Sequence, residues 1–348
     1  MKILAWPAYK NRARNPFQAN LYGAISKADR SAEIDEFTSG TARRFWRYDI
    51  LHLHWPDAAV QRKGRVETVV RSMALLSYFA LCRVAGVKLV WTAHNYNRGG
   101  GPNERLLDQV FRRPLNRLLH GTIFMTENSR AEIQASEPAL AVMPYAVIPH
   151  GDYRKMEPEQ PVQVPPVNLQ YFGPINPYKN LPALLHAFAG LPEDLGLTLR
   201  ISGAMSPFSP DPAFLEALSA LPSHAAFRCL HEDKFQEDDE LVAKVRAADL
   251  VVLPYHKVMN SGSALFALSF DTPVLGPRIP LFEELQHLVG TDWVMLFDGK
   301  LTPDQLEKAW TAARAVKEKG GRPDMAAMDW QIIGAQTLEF YRRIGARG

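Results

Sequence analysis

The chain has 348 residues, 47% of them hydrophobic, a net charge of +3 and two cysteines. That length suits two domains better than one, and the apolar content is enough to bury a sizeable core. No apolar run reaches the roughly 20 residues needed to cross a bilayer. Met1-Lys2 leads directly into a strand-like ILAW, so no export signal is expected.

Cys82 and Cys229 lie far apart and outside any CxxC or Cys/His ligand spacing, which reads as two reduced thiols in a cytoplasmic protein. The small net charge hides an asymmetry. Residues 1–150 hold 21 basic and 12 acidic residues, a balance of +9, whereas the remainder holds 19 and 25, a balance of −6. The first part either attracts an anionic surface or substrate or is a solvated basic face.

Strands and helices alternate along the chain, which predicts parallel α/β layers. Lys2–Trp6 reads as a strand, Asn15–Ala28 as a helix and Asp49–His54 as a strand. Val66–Val84 is a long apolar helix, Lys88–Thr92 a strand, and Glu104–Leu119 a basic amphipathic helix. Thr122–Met125, Ser129–Ser136 and Val147–Pro149 follow as strand, helix and strand. Residues 156–166, MEPEQPVQVPP, hold four prolines without helical period and read as a linker.

The pattern then restarts. Strands are expected at Asn168–Phe172, Leu197–Ser202, Ala226–Leu230, Leu250–Leu253 and Pro273–Leu275. Helices are expected at Leu181–Gly190, Pro212–Ala220 and Asp238–Ala248, after Ser263, and near 303–318 and 329–345. The predicted fold is two doubly wound Rossmann-like domains facing across a cleft at the carboxyl ends of their sheets. The boundaries are 1–155, 156–325 and a terminal helix 326–348 that crosses back to the first domain.

Chemistry-bearing residues cluster just after strands. The polar loop Asn260-Ser261-Gly262-Ser263 opens an apolar helix, and free N–H groups at such a start suit an anion. Gly173, after a strand, and Lys179, at a helix entry, form a second phosphate-clamp arrangement, although GxxxxGK[ST] is absent. Arg278 follows the next strand and offers a planar fork for a phosphate or carboxylate, or else pairs on the surface with Glu283 or Glu284.

In the first part, His52 and His54 share one face of a strand, and Asp57 falls just past its end. There Asp57 serves as a general base or as turn chemistry. His52 and His54 lack a third ligand nearby, so no metal is expected. His94 ends another strand and aims into the cleft. The following loop, Arg98-Gly99-Gly100-Gly101-Pro102, closes over an acceptor or is plain surface. His150 and Gly151 sit at the domain junction, where glycine permits a positive φ. Arg62, Lys63, Arg65, Arg71, Arg83 and Lys88 flank the apolar Met73–Leu81, and Arg105, Arg112, Arg113 and Arg117 repeat the style. These segments read as a surface-lying anchor or as helices packed on their own sheet.

YDILHLHWPD, AHN, FGPINPYKN, ADLVVLPY, NSGSALFALS and Asp329-Trp330 run in order through most of the chain. Together they resemble bacterial exopolysaccharide glycosyltransferases of GT-B fold, the family of the xanthan-pathway β-mannosyltransferase and the sphingan-gum β-1,4-glucuronosyltransferases. The resemblance implies a nucleotide-sugar donor in the C-terminal domain and no separate cofactor. It also implies a lipid-diphosphate-linked glycan acceptor in the N-terminal domain, peripheral attachment to the anionic inner face of the cell membrane, and inversion at the anomeric carbon. A nucleic-acid partner is not expected, and the sequence carries no signal for an oligomeric state.

By position, Lys179 and Ser261–Ser263 would hold the donor diphosphate, and Tyr255 and Asn260 would line the nucleotide or sugar pocket. Asp57 would be the base, and His94 would orient sugar or acceptor. Val258 and Phe266 stand where retaining GT-B enzymes carry paired glutamates, and Pro174 where an arginine often sits. Arg278 as partner of a uronate places UDP-glucuronate ahead of GDP-mannose as donor. Readings of another class are a sugar-nucleotide epimerase and a two-domain sugar-binding protein of periplasmic type, the latter lacking its export signal.

Overall fold

The computed structural model describes residues 1–12, 15–94, 103–158, 162–207, 209–256 and 258–345. The chain divides into two compact units. The first is Met1–Gly151 with Ala327–Gly348, and the second is Asp152–Ala326.

The first unit is built on six strands: β1 (Lys2–Trp6), β2 (Glu33–Glu36), β3 (Ile50–Leu53), β4 (Lys88–Ala93), β5 (Gly121–Phe124) and β6 (Tyr145–Val147). Their order is β2-β1-β3-β4-β5-β6 and every pairing is parallel. β3 and β5 are buried at every position, as helices on both faces of a parallel sheet require. The strand order reverses between β1 and β3, which opens a crevice at their carboxyl ends. The helix Trp330–Arg343 packs on the helix Phe17–Ala28. Trp330, Phe340 and Tyr341 share one core with Ile3, Phe17 and Tyr22. Each such buried aromatic contributes on the order of 2 kcal/mol.

The second unit repeats the plan with β7 (Val167–Phe172), β8 (Leu199–Ser202), β9 (Cys229–Glu232), β10 (Ala248–Val252), β11 (Val274–Pro277) and β12 (Val294–Phe297). Their order is β12-β11-β10-β7-β8-β9, again parallel throughout. Here the order reverses between β7 and β10.

Several elements differ from the sequence reading. β2 (EIDE) and β12 (VMLF) were not anticipated, nor was the helix Pro280–Val289. β2 is a half-exposed edge with acidic residues, so it carries no apolar run to detect. The strand expected at Ala226–Leu230 lies at Cys229–Glu232, preceded by a helical turn at Ser223–Ala226. β6 ends at Val147, because Pro149 has no N–H to extend a ladder. The basic helix from Glu104 contains a π segment at Asp108–Arg112 before Arg113–Leu118. Pro114, which cannot donate to the ladder, lies two residues past that widened turn.

Candidate functional site

In the second unit the predicted anion-binding residues converge at the β7/β10 reversal. β7 ends at Phe172, and Gly173 turns the chain with φ +119, a left-handed value that glycine adopts freely. A Cβ there would lie 3.7 Å from Ser263 Oγ, so the two phosphate-type loops face each other closely. Ser261 caps the helix Gly262–Ser269, its hydroxyl accepting from the Ala264 N–H at 3.2 Å. Gly262 and Ser263 form the first turn, whose N–H groups are not used within the helix. Asn260, partly buried, precedes the cap.

Tyr255 connects these loops to Lys179. Its ring is buried, and the Lys179 Nζ lies 3.9 Å from the ring centroid. Its hydroxyl is directed at Ser263 and Ser261 without reaching good hydrogen-bond geometry. Burial raises its pKa to about 12, and the two serine hydroxyls oppose that rise. Lys179 is only 7% exposed, and among the described residues no carboxylate pairs with it. Burial lowers its pKa; the neighbouring Tyr178 hydroxyl works the other way. A desolvated ammonium without a counter-charge, beside a helix N-terminus, is an arrangement that an anion completes.

Two further positions bear on the donor. Phe266 is buried against Tyr153, Phe172 and Phe270, with ring centroids 5.3, 5.4 and 4.8 Å apart. An apolar cluster therefore occupies the place of one expected glutamate. Val258 is partly buried just ahead of the loop. Arg278 is not the open cation that the sequence suggested. Its Nε lies 2.6 Å from Asp298 Oδ1 and its side chain is about half exposed. The partner is Asp298, rather than Glu283 or Glu284, because Pro277 and Phe297 are in register on β11 and β12 and each strand continues into one member of the pair. Arg278 does line a cavity of about 560 Å³ within this unit, together with Asn180, His186, Tyr255, His256 and Lys300.

In the first unit Asp57 opens a short helical turn after β3, and its Oδ2 accepts from Arg112 Nε at 2.6 Å. Arg112 also binds Glu104, and Asp108 at 2.9 Å. Burial works against the Arg112 charge, but the carboxylates, led by Asp57, outweigh it and hold the guanidinium protonated above its usual range. The sequence reading groups Arg112 with the basic residues of a surface-lying anchor or of a helix packed on its own sheet. The Glu104, Asp108, Arg112 spacing of four was the available clue to its inward role.

Beside this clamp runs a buried hydrogen-bonded array. His52 Nε2 lies 2.8 Å from Thr92 Oγ1, and its Nδ1 lies 2.9 Å from the Tyr22 hydroxyl and 2.7 Å from that of Tyr341. Tyr22 also reaches His54 Nε2 at 2.7 Å, and His54 Nδ1 meets His94 Nε2 at 2.9 Å. The proton position on one ring therefore sets the tautomer of the next. Burial drives the pKa of His52 down to about 3 and those of His54 and His94 well below the ordinary value, so the imidazoles are neutral at pH 7.

His94 is buried, stacked on Trp55 with centroids 4.4 Å apart and edge-on to Phe17. The sequence predicted an imidazole open to substrate, whereas the structure commits its Nε2 edge to His54. The roles of Tyr22, Tyr341 and Thr92 were not legible in the sequence, since Tyr341 lies 289 residues from His52.

His150 donates its Nδ1–H to the Gly151 carbonyl at 2.7 Å and packs on Phe17. Burial lowers its pKa to about 4, against the pull of that carbonyl. Gly151 is required for a reason other than the expected positive φ, which it does not adopt. A Cβ would lie 2.2 Å from Trp330 Cε2, so the indole occupies the space of a side chain. The loop Arg98–Pro102 lies outside the described residues.

Two parallel doubly wound sheets, each with a reversal of strand order, define the class as the GT-B fold of glycosyltransferases. Solved structures share it. Sucrose-phosphate synthase from Thermosynechococcus elongatus matches at TM-score 0.65 with 14% identity over 99% of both chains. Anabaena HepE in complex with UDP-glucose matches at 0.57 with 16% identity, covering 99% of this chain and 98% of that one. WaaG, a glycosyltransferase involved in lipopolysaccharide biosynthesis, matches at 0.57 with 14% identity, covering 99% and 97%.

No family model matches the chain. The GDP-mannose:glycolipid 4-β-D-mannosyltransferase of Xanthomonas campestris pv. campestris is 30% identical over 339 residues, covering 95% of this chain and 89% of that protein. The chain belongs to the family of that mannosyltransferase.

Proposed function

We propose that this protein is an inverting glycosyltransferase that transfers mannose from GDP-mannose to a polyprenyl-diphosphate-linked glycan at a membrane surface. The observation that carries the donor half is Lys179. It is buried, without a carboxylate partner among the described residues, and lies over Tyr255 beside the Ser261–Ser263 helix start. A nucleotide diphosphate supplies the missing counter-charge. GDP-mannose takes precedence over UDP-glucuronate for two reasons. The mannosyltransferase relative uses GDP-mannose by name, and the cation expected for a uronate, Arg278, is already neutralised by Asp298. UDP-glucuronate is the second reading, because Arg278 and Lys300 line one cavity.

In the proposed step Asp57 takes the proton of the acceptor hydroxyl. The hydroxyl oxygen attacks the anomeric carbon, the bond to the diphosphate breaks, and the nucleotide diphosphate leaves with that electron pair. Lys179 and the N–H groups of the Gly262–Ser269 helix start take up the developing charge. His94, stacked on Trp55, holds the segment that carries Asp57. The apolar surroundings of Phe266 favour this direct displacement over chemistry that needs a second carboxylate in the donor site.

A donor panel tests the reading. The protein is incubated with GDP-mannose, UDP-glucose or UDP-glucuronate and a polyprenyl-diphosphate-linked glycan. Release of GDP with addition of one hexose to the lipid is expected. Addition of a hexuronate would move the donor to UDP-glucuronate, and release with no donor would defeat the transferase reading.

A further inference from the structure

The helix Arg65–Val84 is partitioned unusually. Its inner face includes Thr68 and Ser72, whose hydroxyls bond back to Gly64 and Thr68 carbonyls of the same helix at 3.0 and 2.6 Å. Its outer face carries Val66, Val70, Met73, Leu81 and Val84, each between 57% and 87% exposed. At 100° per residue these five fall within an arc of roughly 80°, and the stripe is about 27 Å long. A helix that only covers its own sheet places such residues inward.

The rim of the stripe is mostly basic; its exposed acid, Glu67, pairs with Arg62 and Arg71. Lys63 and Arg65 are exposed at its start, and Arg105, Arg113 and Arg117 are exposed on the helical segment that packs beside it. The acidic residues of that segment, Glu104 and Asp108, turn instead to Arg112. Among the described residues no helix is long and apolar enough to cross a membrane.

We propose that this stripe is a bilayer-docking face, with Val66, Val70, Met73, Leu81 and Val84 entering the acyl boundary of an anionic membrane and the basic rim meeting its headgroups. The proposal rests on the transferase reading, since a lipid-linked acceptor is held in such a surface. Charge selects the occupant. Anionic lipid complements the rim, whereas a second copy of this chain seated stripe to stripe would bring like charges together. Each apolar chain that enters lipid adds to attachment, and the basic rim makes that attachment depend on salt.

The test is co-sedimentation with phosphatidylcholine vesicles prepared with and without phosphatidylglycerol, in the absence of donor and acceptor. Wild type should bind the phosphatidylglycerol vesicles and be released by salt. Val66→Ser, Val70→Ser and Met73→Ser combined should lower vesicle affinity by about tenfold or more. The melting temperature and turnover on a water-soluble short-chain acceptor should stay unchanged. The conservative Val66→Leu, Val70→Leu pair should retain binding. A triple serine variant that binds like wild type overturns the proposal. So does a wild-type dimer that the same substitutions dissociate. Vesicle binding without sugar transfer from any donor would defeat the transferase reading while leaving the docking face standing.

Discussion

The Lys179 ammonium lies 3.9 Å from the centroid of the Tyr255 ring, and the Tyr255 hydroxyl is directed at Ser263 and Ser261. One aromatic ring thus spans the two loops that the sequence reading assigns to one diphosphate. It also explains how a lysine survives burial: the ring face attracts the cation weakly, and the full counter-charge is left to a ligand.

Lys179→Met should separate stability from function. Burial lowers the Lys179 pKa below its ordinary 10.5, so the charged amine is a cost to the folded, unliganded protein at neutral pH. That cost is relieved only as pH rises through the lowered value toward 10.5. The variant should therefore melt a few degrees higher without ligand, about 1 kcal/mol more stable, and lose donor affinity by roughly a hundredfold. In wild type, donor affinity should fall with rising pH earlier than an ordinary lysine would dictate. Isothermal titration with GDP-mannose and a thermal melt check both. A less stable variant, or unchanged affinity, would contradict the account.

Asp57 and Arg112 should behave as a unit. Asp57→Asn should leave donor binding intact and lower turnover by about 100-fold or more. Arg112→Ala leaves Glu104, Asp108 and Asp57 without their cation and should destabilise the first unit by about 3 kcal/mol. Arg112→Lys keeps the charge but not the fork. It should fold and lower kcat more than it alters KM. Full turnover in Asp57→Asn would remove the base from Asp57.

Acid should loosen the first unit. The folded-state pKa values of His52 and His150 are depressed to about 3 and about 4 from 6.5. Their contribution is intact above about pH 6.5, declines below it, and is lost as pH falls through the folded values. Each neutral histidine then costs about 1.4 kcal/mol per pH unit. Urea titrations followed by circular dichroism should show at least about 2 kcal/mol less stability at pH 5 than at pH 7. A flat profile would mean that the array is not neutral in the folded protein.

Gly151→Ala should cost about 1–3 kcal/mol, because its Cβ would lie 2.2 Å from the Trp330 ring and the indole must move. Thermal melting checks this, and pairing with Trp330→Phe should recover part of the loss. If the single variant were neutral, the close approach of glycine and indole would not be a constraint.

The contrast between Gly173 and Gly151 shows what a sequence can carry. Gly173 follows an apolar strand and precedes a lysine, a local pattern, and its positive φ fits the turn expected there. Gly151 was assigned the same freedom, yet its constraint comes from Trp330, 179 residues away in a helix whose packing no local pattern encodes. The alternating strands and the loops at Lys179 and Ser261–Ser263 were legible because periodicity and small-residue helix starts are short-range signals. The Asp57 partner of Arg112, Tyr341 and the Asp298 partner of Arg278 were not, because each depends on which strands or helices become neighbours. The acidic edge strand β2 escaped notice for a simpler reason: it lacks the apolar alternation that marks a strand.

The central claim is that the second unit grips a nucleotide-sugar diphosphate for transfer to a lipid-linked glycan. The most direct measurement is mass spectrometry of the glycolipid after incubation with GDP-mannose, run for wild type and Lys179→Met in parallel. The account predicts a gain of one hexose with stoichiometric GDP in wild type and a loss of both in the variant. Equal hexose gain in the variant, or no gain in wild type with any nucleotide-sugar, would contradict it.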